Sequence, residues 1–199
     1  MVERLHHLLV YIGLLVLFFV PVIIVSGQEI TWSPYTVLRI AGLLGFISLS
    51  LGAILNLMKK QINNFFGKPF LKIHHYFAIT GLVLITIHPA LYVLLAQDLR
   101  VLVPDISSLY SFFSMGGRVA ILFFYGAFLA GIFRMALTHR WRYIHLLVYP
   151  AIIIAAIHAN LIGQTLTNLV VLLLINGLTG IVCITFVYTR LRRMKKKNR

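Results

Sequence analysis

Long apolar runs separated by short charged gaps dominate the chain. Six of them have the length of spanning helices: 8–25, 35–58, 74–96, 116–137, 143–163 and 167–189. An α-helix needs about 20 mostly apolar residues to cross a hydrocarbon core of about 30 Å. None of the runs alternates polar and apolar positions over about ten residues, as a transmembrane β-strand does. The pattern predicts an all-α integral membrane protein with six transmembrane helices in a single membrane domain, 1–199. A cleaved leader has an apolar core of about 7 to 15 residues. The first run exceeds that, and Val25-Ser26-Gly27 is a poor cleavage site, so it reads as a retained helix with a bend at Pro21. The second run carries Ala41, Gly45, Ser48 and Gly52 along one side, and the fourth carries Gly126, Ala127, Ala130 and Gly131. Small residues at such spacing let another helix, or a flat ligand, come close. The gap at 97–115 is expected to hold a surface turn near Pro104.

Composition agrees with that reading. The chain is 60% hydrophobic and 11% charged, against roughly 25% charged for a soluble domain. The net charge of +14 would suit nucleic acid if it formed a patch, but the cations fall in the gaps between apolar runs. That favours membrane topology over nucleic acid as their explanation. Lys59, Lys60, Lys68 and Lys72 follow the second run. Arg134, Arg140 and Arg142 surround the end of the fourth, and seven Lys or Arg residues fill the tail, 190–199. The opposite side has Arg39, Arg100 and Arg118 with Glu29, Asp98 and Asp105. Basic loops stay in the cytoplasm, so both termini are expected to be cytoplasmic. A single cysteine, Cys183, excludes an intrachain disulfide and a cysteine-cluster metal site.

Histidines are the conspicuous polar residues of the apolar runs. An ionisable group placed in hydrocarbon is a functional hypothesis by default. His74 and His88 are fourteen residues apart on the third run, and His145 and His158 thirteen apart on the fifth. The two helices run in the same direction, so the histidines form pairs at two depths: His74 with His145, and His88 with His158. Fourteen residues at about 100° each return to within about 40° of the same face, whereas thirteen leave a discrepancy of about 140°. A tightened or kinked turn near Pro150 is expected to realign His145 with His158, because proline breaks the hydrogen-bond ladder. His75 is the rival to His74, and the same rotation favours His74. His6, His7 and His139 lie at helix edges and are not expected to be ligands.

Facing imidazoles in a helical bundle suit a haem iron held from both sides. Two axial histidines leave no open coordination position, which favours electron transfer over chemistry at the metal. All four acidic residues lie outside the apolar runs. Hydrolysis and general acid–base catalysis are therefore not expected, and no catalytic residue is assigned. The competing readings are a histidine-lined proton or metal transporter, which would expect intramembrane Asp or Glu, and a haem-free membrane scaffold. Arg118 and Arg39 are candidates to hold the anionic propionates of an outer haem. Lys72, Arg134 and Arg142 are candidates for an inner one. Each is equally an interfacial anchor. Trp141 and Tyr149 have the same two readings, against a porphyrin or at the interface. Asn160 and Asn176 are expected to bond across helices.

The segments from His74 to Pro89 and from Arg140-Trp141 through His145 and Tyr149 to His158 resemble the ferric reductase-like transmembrane family. Its members include iron reductases, NADPH oxidases and the haem-binding membrane subunit of the periplasmic methionine sulfoxide reductase system. The resemblance covers about 35–189. It implies a cytochrome b-like bundle and haem b, two groups if all four positions ligate, with His74, His88, His145 and His158 as axial ligands. It also implies electron flow from a cytoplasmic flavoprotein or a quinol to an acceptor on the outer face: ferric iron, a periplasmic enzyme or oxygen. No dinucleotide fingerprint follows residue 189, so a flavin would sit on a separate partner and this chain would be an electron-transfer subunit of an oxidoreductase. The free-standing membrane subunit lacks a histidine at the position of His74, so the inner site is similar to that of the oxidases.

Overall fold

A computed structural model describes residues 2–28 and 33–197. The side chains of 2–7, 60, 193, 196 and 197 are outside that description. Expectations that rest on Glu29, Lys60, Arg193, Lys196, Lys197, Arg199, His6 and His7 therefore lie outside the described side chains.

Every regular element among the described residues is helical: α1 (Val2–Gly27), α2 (Pro34–Ile54), α3 (Lys59–Phe66), α4 (Phe70–Ala96), α5 (Leu109–Ser114), α6 (Gly117–Ile132), α7 (Trp141–His145), α8 (Val148–Ile162) and α9 (Leu169–Lys197). Five stretches are long and apolar enough to cross a membrane: Leu8–Gly27, Pro34–Leu57, Phe70–Ala96, Trp141–Ile162 and Leu169–Arg192. α6 is apolar but has only 16 residues. The chain is a multi-pass membrane protein, and its apolar helices carry many exposed Leu, Ile and Val side chains.

α2 is the hub. It packs against α1, α4, α8 and α9, and contains more buried positions than any other helix, among them Ile47, Ser48 and Ser50. Its start is fixed by Ser33, whose hydroxyl accepts from the Thr36 amide while the Thr36 hydroxyl accepts from the Ser33 amide, with Pro34 opening the helix. The small-residue stripe is where α4 lies. A Cβ on Gly45 would come within 2.9 Å of the Ile85 backbone nitrogen, and Gly81 of α4 receives Leu49 in the same way. The Ser48 hydroxyl donates to the Phe77 carbonyl at 2.8 Å. Of the two readings of the stripe, helix packing is the observed one.

Several helix ends differ from the expected spans, since α1 starts at Val2, α4 starts at Phe70 and α9 runs on to Lys197, and two parts differ in kind. The gap after α2 contains α3, an amphipathic helix with Ile62 buried and Phe65 and Phe66 against the ring of Tyr11, at 5.6 and 6.3 Å. Gly67, at φ 58°, ends it in the left-handed region that favours glycine. The fourth run was expected to be helical to residue 137, but α6 stops at Ile132 and 133–140 forms turns, with Thr138 at φ 50°. Hydropathy reports what surrounds a residue rather than its backbone conformation, so the apolar run continued past the helix. The connection 97–116 holds a short 3₁₀ turn, Leu99–Leu102, and α5. There the Ser107 amide donates to the Asp105 carboxylate at 2.9 Å, which holds that carboxyl below its usual range.

Candidate functional site

α4 packs on α2, and α8 packs on α6, α9 and α2, while α4 and α8 scarcely touch each other. The four histidines lie on these two helices and on α7. All four are half-buried, whereas His75 and His139 are exposed. His74 and His145 meet at one level, with ring centroids 6.2 Å apart and ring planes at 67°. His88 and His158 are at the other level, within electrostatic reach of each other.

Each ring is anchored in the same way. The Nδ1 of His74 lies 3.1 Å from the Gly52 carbonyl oxygen, and that of His88 lies 2.9 Å from the Leu38 carbonyl oxygen. His145 Nδ1 is 2.8 Å from the Ala127 carbonyl oxygen, and His158 Nδ1 is 2.6 Å from that of Ser114. A carbonyl only accepts, so Nδ1 carries the proton and donates in every case. The neutral ring then keeps its lone pair on Nε2. α2 thus supplies both acceptors for the α4 histidines. α5 and α6 supply them for His158 and His145.

Glycines let the rings reach these carbonyls. A Cβ on Gly42 would lie 2.8 Å from His88 Nδ1, and one on Gly117 would lie 3.1 Å from His158 Nε2. A Cβ on Gly52 or Gly131 would have more room, 3.9 Å from the Nδ1 of His74 or His145 respectively. The carbonyls and Gly42 and Gly117 were not singled out from sequence. A main-chain acceptor leaves no mark on residue type, and the glycines were the only available signal.

The expected break near Pro150 is present. Leu146, Leu147 and Tyr149 donate to the carbonyls of Tyr143, Ile144 and Leu146, three residues back, so the chain tightens between α7 and α8. Pro150 has no N–H for the Leu146 carbonyl, and Tyr149 takes it instead. A 3₁₀ step turns by about 120° rather than about 100°. The tightened segment therefore rotates His158 back toward the face of His145.

Around the His74 level, Phe70 stacks on His74 at 5.7 Å and Trp141 packs on His145 at 5.8 Å. Lys59 lies 5.1 Å from the centre of the Phe70 ring, and Arg142 lies 5.8 Å from that of Trp141. Tyr149 instead packs on Phe186 of α9 at 4.6 Å. Lys72 and Arg134 are exposed. At the other level, Arg118 donates to the Val103 carbonyl at 2.5 Å and acts electrostatically on His158. Arg39 donates to the buried Thr165 hydroxyl at 2.8 Å and to the Gln28 side chain. Asn160 and Asn176 form a reciprocal amide pair between α8 and α9, at 3.0 and 3.1 Å, as expected.

Two shallow depressions lie elsewhere, one beside Asn160 and Thr167 and one beside Phe133 and Ile144. Neither includes a histidine. Asn160 and Thr167 of the first are already engaged, with Asn176 and with the Gln164 carbonyl.

The family model described as ferric reductase like transmembrane component matches residues 41–156. The chain belongs to the ferric reductase-like transmembrane family. The match includes Gly42, Gly52, His74, His88, Gly117 and His145, and it ends two residues before His158. No curated protein and no solved structure matches the chain. Membership points to a membrane electron-transfer role.

Proposed function

We propose that this family member is a dihaem membrane cytochrome. In this reading it passes electrons from a cytoplasmic flavoprotein or quinol to an acceptor on the outer face, either ferric iron, a periplasmic enzyme or oxygen. His74 with His145 and His88 with His158 would be the axial pairs. The supporting observation is the common anchoring of four imidazoles through Nδ1, which fixes one tautomer and reserves Nε2 for a metal. The fit is dimensional as well. Two imidazoles that shared one metal would have ring centres about 6 Å apart, from a metal–nitrogen bond of about 2 Å on each side. The His74–His145 separation is 6.2 Å. Among the described residues no third His, Cys, Asp or Glu joins either pair. Two donors suit an iron whose other ligands come from a macrocycle.

Bound haem b would supply a one-electron ferric/ferrous couple. The chain's own residues orient the imidazoles through main-chain carbonyls and would offer cations for propionates. Arg118 is the better placed outer candidate because it acts on His158. Arg39, tied to Thr165 and Gln28, lies at the same end of the bundle. Trp141 with Arg142 flanks the inner pair.

The reading includes six spans. α6, about 24 Å long at 1.5 Å per residue, would complete its crossing with the turns that flank it. Cations concentrate at the His74 and His145 end, which supports a cytoplasmic position for that end and for both termini.

Haem content of single-histidine variants tests the proposal. His88→Ala and His158→Ala should each lose one haem per chain and keep the other. A histidine-lined transporter predicts haem content independent of all four positions, and that outcome would overturn the reading.

A further inference from the structure

We propose that the bundle end carrying His74 and His145 is the docking surface for an acidic one-electron carrier protein. The inference rests on the electron-transfer reading and names the kind of donor. This end displays Lys59, Lys68 and Lys72 before and on α4, Arg140 and Arg142 at α7, and Arg192 on α9, all exposed. α9 returns to this end, since Tyr149 near the start of α8 meets Phe186 near the end of α9. The acidic residues with described side chains, Asp98 and Asp105, both lie in the 97–116 connection at the other end. A surface of one sign attracts a partner of the opposite sign and steers its approach.

Basic loops alone would be explained by topology or by anionic headgroups. The arrangement next to the histidines favours a protein. Lys59 sits over Phe70, which stacks on His74, and Arg142 sits over Trp141, which packs on His145. Each inner imidazole is thus covered by an aromatic ring that is itself capped by a cation. These two exposed cations lie over ring faces beside the inner imidazoles. A docked acidic protein would find its charge contacts and the shortest route to the imidazoles in one place. Transfer is of one electron: the carrier is oxidised by one unit and the inner site reduced by one, with no bond or proton exchanged.

The test uses the full chain in nanodiscs of neutral phosphatidylcholine, with a reduced flavodoxin, an acidic one-electron flavoprotein, as the probe. Binding is read by biolayer interferometry and haem content on the same sample. The Kd should weaken at least about tenfold between roughly 20 and 300 mM salt. The double variant Lys68→Glu/Arg140→Glu should bind at least about tenfold more weakly at low salt, while its haem content and its reduction by dithionite stay at the wild-type level. No binding by the wild type at low salt overturns the proposal, whatever the haem content. Loss of binding when phosphatidylglycerol is added to the discs, down to the level of the variant, assigns the cations to headgroups and also overturns it. A haem-free preparation that still binds the probe in a salt-dependent way supports the docking surface and refutes the electron-transfer reading instead.

Discussion

At the scale of single residues, the histidines depend on glycines and carbonyls that have no chemistry of their own. Gly42→Ala would place a methyl 2.8 Å from His88 Nδ1. The neighbouring atoms belong to the imidazole that bonds the Leu38 carbonyl, so the ring must leave that bond or α2 must shift. Overpacking of this kind costs about 1–3 kcal/mol. Gly42→Ala should therefore lower the melting temperature in detergent and reduce haem stoichiometry toward one per chain. Gly52→Ala, with ordinary contact at 3.9 Å from His74, should leave stoichiometry unchanged. Equal behaviour of the two variants in spectroscopic haem titration would contradict the role given to Gly42. The histidines themselves were legible because a polar residue in an apolar run stands out. His74 was separable from His75 by rotation alone, and the structure turns His74 toward His145 and leaves His75 exposed. The carbonyls of Leu38, Gly52, Ala127 and Ser114 were not legible, since every residue has one.

At the scale of elements, the junction between α7 and α8 decides whether one helix can serve two levels. Pro150 is the lever, because it releases the Leu146 carbonyl to Tyr149 and keeps the turn tight. Pro150→Ala restores an N–H at that position and allows a regular α-helix. His145 and His158 would then diverge by the about 140° of an uninterrupted thirteen-residue interval. The variant should stay folded and membrane-inserted but lose at least one haem, read by the reduced α-band per mole of protein; two retained haems would show that the tightened turn is dispensable. Across the α8–α9 interface, Asn160→Leu leaves the Asn176 amide without its reciprocal partner. Interhelical hydrogen bonds in membranes contribute about 0.6–2 kcal/mol, so a small fall in thermal stability with unchanged haem content is expected from a melting curve. Spans were readable from hydropathy with errors at their ends. α3 was missed because eight amphipathic residues between two long apolar runs look like a charged loop. The stop at Ile132 was missed because Phe133, Met135, Ala136 and Leu137 continue the apolar run past the single cation Arg134.

At the scale of the whole molecule, α2 holds α4 on one side and meets α8 and α9 on others, which keeps α4 and α8 apart. The space between two co-directional helices is then bounded by imidazoles at two depths. Cations gather at one end of that stack and the described acids at the other. In the proposed reading this polarity gives the electron path a donor side and an acceptor side. The central claim is that the four anchored imidazoles hold two iron porphyrins. A pyridine haemochrome assay on the wild-type chain, purified from haem-replete cells and normalised by amino-acid analysis, tests it most directly. The expected result is two haem b groups per chain, with both reduced by dithionite. A colourless protein would contradict the account.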